Sequence, residues 1–468
     1  MANDVVRFVD AISGSPTTRL DLNDGSTWTL NAAVFAPPPQ IRGSISSNAM
    51  TDGGFQSSSL YAYRSIHLEL MVNAATEDAA ATALQSLHRE LDRETNLLKW
   101  QPNGASSPVF FRTWRTSPVQ IVDQPAARSI YYVTLEIPAD PLALGLRETV
   151  SIGTVNNNPA AGSNGCYFDV TGVKGDVAAP LMLLMTSYTY DSTTIAVRQH
   201  GTPSDLTFFK QAESLTLLTD TTNPGGGPDA AMSGTGTNNY VRTSFATATA
   251  SRLLWNIASD HSTAAKKLAL SGTYRIYAAV RRSGTSSDIS LQVVYSTLSS
   301  GSMVATQKTA SRQIVDLGLI QLGPTTDSIG YGASNGFDAT NGTLYFVASR
   351  TSGAETLDWD CVFAIPADEE THGHSNVLLV APVDGFLVDS VNENMVPVVG
   401  DPFTTGYVGV PATNPVVTGG WLHVKPNQTN RFYVLMHSQI GHVSTVGLSA
   451  TFAGSYWPRY LHVRPATT

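Results

Sequence analysis

Cysteine is almost absent from the 468 residues: Cys166 and Cys361 are the only two. They stand far apart, in no CxxC spacing, which excludes a disulfide framework and a cysteine-rich zinc site. Two buried free thiols are the expectation. Charge is scarce as well, with Asp, Glu, Lys and Arg making up 14% of the chain against about 25% in an ordinary soluble protein. No run of about 18 apolar residues exists, so no spanning helix is expected. The longest apolar stretch, Pro180 to Met185, reads as a buried strand. Met1 to Arg7 lacks the basic start and apolar core of a secretory signal, which predicts a protein held in the cytoplasm until it assembles. A net charge of -9 opposes nucleic-acid binding, which needs clustered Lys and Arg to displace counterions from phosphate.

Catalytic patterns are missing too. There is no G-x-S-x-G elbow, no HExxH and no GKS/T loop, and the glycines Gly225 to Gly227 have neither a lysine nor a following helix to cradle phosphate. His372 and His374, after Asp368-Glu369-Glu370, sit at i and i+2 without a third convergent ligand and read as solvated loop. Asp358 and Asp360 share one strand face, whereas hydrolysis needs carboxylates about 5–9 Å apart across a cleft. No catalytic or cofactor-binding residue is therefore expected, and the chain reads as a non-enzyme.

What the sequence does hold is β-strand material. Ser, Thr, Asn and Gly fill the place of charge, a balance suited to pleated surfaces and tight turns. The length exceeds the roughly 250–300 residues one core can serve, so about three domains are expected. One amphipathic helix is predicted over Thr76 to Leu98, with Ala80, Leu84, Leu87, Leu91 and Leu98 on one face, Thr76 as cap and Glu77 and Asp78 in the first turn. Alternation predicts strands at 65–72, 109–114, 119–122 and 130–137, and Asp24-Gly25 predicts a hairpin between 20–22 and 28–30. Beyond Val150 short strands, Leu206 to Leu218 and Ile289 to Tyr295 among them, alternate with turn residues to the end of the chain, a number suited to two sandwiches. The fold class is thus mainly β, opening with an α+β domain.

Three stretches together resemble known proteins. The N-terminal block, with its hairpin, the excursion Ala36-Pro37-Pro38-Pro39, the helix and the closing Ile137-Pro138-Ala139-Asp140-Pro141-Leu142-Ala143-Leu144-Gly145, resembles the ring-forming domain of siphovirus distal tail proteins. The central stretch resembles calcium-dependent carbohydrate-binding jelly rolls, through Gln211-Ala212-Glu213, Gly272-Thr273-Tyr274-Arg275-Ile276-Tyr277 and Leu357-Asp358-Trp359-Asp360. Lys174-Gly175-Asp176-Val177-Ala178-Ala179-Pro180 and Trp457-Pro458-Arg459-Tyr460-Leu461 look like tail proteins of actinobacterial phages. The resemblance implies a ring domain at 1–150, a β-sandwich split between 151–204 and 367–468, and an inserted jelly roll at 205–366.

The function implied is structural: a hexameric ring at the distal end of a phage tail tube. It would be a hub for adsorption proteins in the baseplate of the virion, assembled in the host cytoplasm beside tail tube and tail tip proteins. DNA would pass through an acidic opening without specific binding, while Arg64 and Arg112 would pair at subunit boundaries. The alternative is a trimeric receptor-binding or lectin-like tail protein that adheres to host carbohydrate, although no heptad or short repeat supplies a stalk. For sugar binding the best aromatic candidates are Tyr240 and Trp255, and their exposure decides between a platform and core packing. No cofactor is required, but the jelly-roll resemblance implies that Glu213 and Asp358 hold a structural calcium ion, which would relieve repulsion between the two carboxylates. If they share such an ion, exhaustive chelation should lower the melting temperature by mass action. An unmoved melting curve would remove the ion.

Overall fold

The computed structural model describes residues 4–34, 39, 41–42, 45–47, 54–56, 60–116, 120–123, 129–156, 167–188, 193–200, 208–212, 215–217, 240–245, 250–256, 272–282, 289–295, 298–299, 304–305, 313–322, 343–350, 355–366, 374–379, 385–399, 408–409, 416–418, 421–438, 443–445 and 449–461. These residues are mainly β-strand with one helix. No described helix is long and apolar enough to cross a membrane. The chain forms two compact units, one made of 1–148, 173–179 and 456–468 and the other of 149–172 and 180–455.

The first unit contains one large sheet and two separate two-stranded ladders. Its strands are β1 (Val5–Val9), β2 (Thr18–Asp21), β3 (Trp28–Val34), β4 (Ile41–Arg42), β5 (Ile45–Ser47), β6 (Gly54–Gln56), β7 (Leu60–Tyr61), β8 (Arg64–Asn73), β9 (Thr95–Gln101), β10 (Val109–Trp114), β11 (Gln120–Asp123), β12 (Ile130–Ala139) and β13 (Ala143–Leu144). The main path runs β2-β1-β9-β10-β12-β8-β3, with β11 beside β12 and β13 beside β10. The longest ladder is β8 on β12, antiparallel from Ile130↔Asn73 to Ala139↔Arg64. Along both strands burial alternates strictly, which is the period-2 signature of a sheet with one face covered.

Helix α1 (Glu77–Leu91) covers that face. The Thr76 hydroxyl accepts from the Ala79 N–H at 3.2 Å, satisfying one orphan donor, and Glu77 and Asp78 occupy the favourable end of the helix dipole. Ala80, Leu87 and Leu91 are buried against Ile66, Leu68, Leu70, Val133 and Leu135 in one apolar cluster. The helix expected to reach Leu98 stops at Leu91, and residues 95–101 are strand β9 instead. Leu91 and Leu98 are seven apart, a spacing a helix face tolerates, but Asn96, Leu98 and Trp100 are buried while their neighbours are not. That alternation is a strand's, and β9 sits between β1 and β10 with full ladders on both sides.

The Asp24-Gly25 turn also differs from expectation. Gly25 has φ +72°, and the Asp24 carboxylate accepts from the N–H groups of Ser26, Thr27 and Trp28 at 2.8, 2.8 and 2.9 Å. The turn chemistry is therefore as read, yet β2 and β3 do not pair; they are the two ends of the main path. A flat sheet of that order would set them about 29 Å apart at ~4.8 Å per strand step. Fully extended, the linking segment 22–27 reaches only about 24 Å. The sheet must therefore curl so that its edges approach, and Asn23, just after β2, accepts through its side-chain oxygen from the Leu30 N–H of β3 at 3.2 Å.

The end of the chain returns to this unit. A strand at Arg459–Tyr460 pairs with β13, and the buried Arg64 guanidinium donates to the Leu461 carbonyl at 2.7 Å and stacks on the Phe111 ring. Burial lowers the Arg64 pKa from its ordinary value. Arg64 is thus engaged inside its own chain rather than at a subunit boundary. Gly175, at φ +113°, lies so close to Arg459 that a Cβ would stand 2.8 Å from its carbonyl oxygen, so only glycine fits.

The second unit consists of antiparallel sheets. One runs Glu148–Asn156, Ser449–Tyr456, Met182–Tyr188, Gly385–Asp389, Asn394–Val399 and Val408–Gly409, and another Tyr167–Val170, Asn430–Ser438, Thr193–His200, His374–Leu379 and Val416–Thr418. A third runs Phe208–Gln211, Glu355–Pro366, Gly272–Arg282, Gln313–Leu322 and Val443–Thr445, with Val241–Phe245 also on Glu355–Pro366. The fourth contains Thr216–Leu217, Ala250–Asn256, Thr343–Arg350, Ile289–Tyr295 and Leu298–Ser299. Ile276, Leu317 and Trp359 from the third sheet share one buried cluster with Leu253, Leu291 and Phe346 from the fourth. Those two sheets therefore face each other as a sandwich. The expected single strand at 206–218 is two short ones in different sheets.

Leu87 is fully buried on the helix stripe. Leu87→Asp should cost several kcal/mol by placing an unpaired carboxylate in an apolar cluster. Thermal melting of the variant checks this, and an unchanged melting temperature would contradict the packing described.

Candidate functional site

The surface of the first unit carries two features that point to association. The first is apolar exposure. Among the described residues Ile41, Leu60, Tyr61, Tyr63, Trp114, Ile121 and Tyr132 are large exposed apolar side chains of this unit, and Leu319 alone belongs to the second. Ile41 and Leu60 are 61% and 70% exposed. They lie on β4 and β7, which pair Ile41↔Tyr61 and Arg42↔Leu60, while β5 and β6 form a second ladder from Ile45↔Gln56 to Ser47↔Gly54. Neither ladder joins another described strand. Two-stranded ribbons standing alone are marginal in water, and among the described residues this ribbon has no third strand to stabilise it.

The second feature is the uncovered face of the sheet, which is divided by charge. On its β1–β9–β10 side lie Arg7, Lys99 and Arg112, in register as Arg7↔Lys99 and Leu97↔Arg112. Asp21 neutralises Arg7 at 2.7 Å. Burial first, then the Arg7 guanidinium, push the Lys99 ammonium below its ordinary pKa. Burial likewise raises the Asp140 carboxyl, with Arg112 and Arg459 opposing. On the β12–β8 side the same face holds Tyr132 and Glu136 on one strand and His67, Glu69 and Met71 on the other, paired Glu136↔His67 and Tyr132↔Met71. Glu136 accepts from the Ser65 hydroxyl at 2.6 Å and Glu69 stands 3.6 Å from the His67 ring, with His67 half-buried and Glu69 exposed.

The residues singled out in the second unit have other surroundings. Asp358 is buried, and two guanidinium groups hold its carboxylate: Arg242 at 2.6 and 2.9 Å, and Arg281 at 3.0 and 3.3 Å. A calcium ion at Asp358 would have to displace both. Its expected co-ligand Glu213 lies outside the described residues, as do Cys166, His372 and the 222–228 loop, while Cys361 is a buried free thiol. Among the described residues no group of three or more His, Cys, Asp or Glu is placed to hold a metal. Tyr240 is 7% exposed, with Arg242 and Arg281 stacked over its ring at 5.2 and 5.4 Å, and Trp255 is 3% exposed inside the sandwich core. Both rings are packed rather than presented as a sugar platform, for the ordinary reason that large aromatics carry core area. Asp360 is fully buried on the same strand as Asp358. Arg242 and Arg281 were not singled out in the sequence. Each is far from Asp358 along the chain, and no local pattern marks such a pair.

No family model matches the chain, and no curated protein matches it. Among solved structures it is similar to Dit (gp 19.1) of phage SPP1, described as a paradigm of the hub adsorption apparatus in phages infecting Gram-positive bacteria. That match has 10% identity and a TM-score of 0.36 over 98% of this chain and 99% of that one. It is also similar to chains of the phage p2 baseplate in its activated conformation. The strontium and calcium forms match at 6% and 7% identity, each with a TM-score of 0.25 over 77% of this chain and 98% of the other.

Asp358→Asn should destabilise the second unit by about 3 kcal/mol, because two guanidinium groups lose the charge that holds them; partial exposure of both arginines puts the loss at the lower end of the usual range. Denaturant unfolding is the check. A change below about 0.5 kcal/mol, the level of an ordinary surface substitution, would show that the cluster contributes nothing.

Proposed function

We propose that this chain is a non-enzymatic structural component of a bacteriophage tail tip, in which the first unit assembles into a hexameric ring at the distal end of the tail tube. The N-terminal sequence block supports this reading by its resemblance to ring-forming distal tail domains. The observation that carries it is the concentration of exposed apolar side chains among the described residues of the first unit, beside a ribbon that no further described strand joins. A solitary subunit gains nothing from such exposure, whereas an assembling one buries it.

In this role the ring is a hub for adsorption proteins within the virion, placed between the tail tube and the tail tip. The low charge of the chain and its acidic balance suit a channel that duplex DNA crosses without adhering, since adhesion requires cationic contacts. The second unit supplies surface for neighbouring tail proteins.

Native mass spectrometry of the purified full chain tests the reading. Six-copy particles are expected. Three-copy particles with nothing larger would favour the receptor-binding alternative, and a chain that stays monomeric at tens of micromolar would overturn the assembly role.

A further inference from the structure

We infer that Asn103 is a site of spontaneous covalent modification: in the folded chain its side-chain amide is lost to water, leaving aspartate or isoaspartate and a new carboxylate beside Asp4. The reaction needs no partner but water, and the inference stands apart from the ring reading.

The site is the loop between β9 and β10. The Ala105 N–H donates to the Pro102 C=O at 3.0 Å, so Pro102 to Ala105 form a four-residue turn. Gly104 holds its third place at φ +83°, the conformation that a type II turn demands of glycine. Asn103 and Gly104 are both exposed, and beyond the chain neighbours nothing stands within 4 Å of where a Gly104 Cβ would sit. The turn's own hydrogen bond uses the Ala105 N–H and leaves that of Gly104 out.

Those conditions suit the known lability of asparagine. The Gly104 nitrogen gives its proton to hydroxide and attacks Cγ of Asn103. A C–N bond forms, the Cγ–Nδ2 bond breaks, and Nδ2 leaves as ammonia, closing a five-membered succinimide. Water then opens the ring at either carbonyl. One opening restores the ordinary backbone with aspartate at 103; the other leaves the chain running through Cβ and Cγ, which is isoaspartate with a free α-carboxylate. Nothing is oxidised or reduced: one amide and one water give a carboxylic acid and ammonia.

The other asparagines are placed differently. Asn427 is also exposed in a turn, at φ +60°, but Gln428 follows it, and a side chain on the attacking residue crowds the approach. Asn96 and Asn430 are buried, with their amides donating to Glu90 and to the Lys425 carbonyl. Asn103-Gly104 is the one Asn-Gly pair among the described residues.

Asp4 gives the product its consequence. Its carboxylate accepts from the Asn103 N–H at 2.8 Å and from the Trp100 indole at 3.2 Å, and its C=O accepts from the Asn23 side chain at 2.8 Å. Asp4 thus joins the start of β1 to this loop and to the link 22–27. A carboxylate on residue 103 repels that of Asp4, and isoaspartate adds one backbone atom inside the turn that the Ala105 hydrogen bond closes. Both changes loosen the join.

Peptide mapping by mass spectrometry tests the site, with the full chain held at mildly alkaline pH, folded and, in parallel, unfolded in urea. In the folded chain the peptide holding residue 103 should gain the mass that replacing an amide by a carboxylic acid adds, and should accept labelled methyl from an isoaspartyl methyltransferase. Its conversion should run within tenfold of the rate in the unfolded chain and at least tenfold faster than that of Asn427. A folded rate slower than that, or an Asn427 that keeps pace, would overturn the inference. Asn103→Asp carries the product's charge and should melt roughly 1–4 °C below Asn103→Ser. Equal melting of the two would overturn the coupling to Asp4.

Discussion

The first unit depends on one geometric constraint: six residues, 22–27, connect strands that occupy opposite ends of the sheet. The Asp24 carboxylate gathers three N–H groups and Gly25 adopts a positive φ, so the connection stays tight and the sheet has to curl. Curling gives the inner face a concave apolar lining that a single helix stripe can fill. It also turns the other face outward, where its charge is divided between a cationic and an anionic side. The distribution of surface chemistry over this unit follows from that short link.

A second constraint is the scarcity of charge. Several of the buried ionic groups are held in pairs: Glu355 with Arg282 at 2.8 Å, Asp316 with Arg275 at 2.6 Å and Asp358 with Arg242 and Arg281. Arginine suits these places because its planar fork meets both carboxylate oxygens and keeps its charge when desolvated. Replacing such pairs with apolar residues need not destabilise a sandwich, but breaking one does. They therefore act chiefly on register, fixing which strands of the third sheet lie side by side. Arg64 does something similar in the first unit, where its bond to the Leu461 carbonyl ties the start of β8 to the end of the chain.

Much of the strand pattern was legible. Val109–Trp114 and Ile289–Tyr295 have the bounds their alternation predicts, because both have one face against a core. The helix over-extended because a seven-residue spacing from Leu91 to Leu98 fits a helix face as well as a turn followed by a buried strand. Asp24-Gly25 specified a turn but not the partners of the strands it joins, since pairing is a matter of topology and not of local chemistry. The excursion expected at Ala36–Pro39 precedes the ribbon, whose strands of two or three residues are too short to show a period. The arginines around Asp358 were invisible for a different reason: they approach it across 116 and 77 residues of chain.

The proposed ring places the first unit around an axial opening. Single-particle imaging of the full chain tests it most directly. Six-fold views are expected in which the first unit, located by a tag fused to its N-terminus, surrounds the opening. Two- or three-fold particles without an opening, or a ring with that tag at its outer rim, would contradict it.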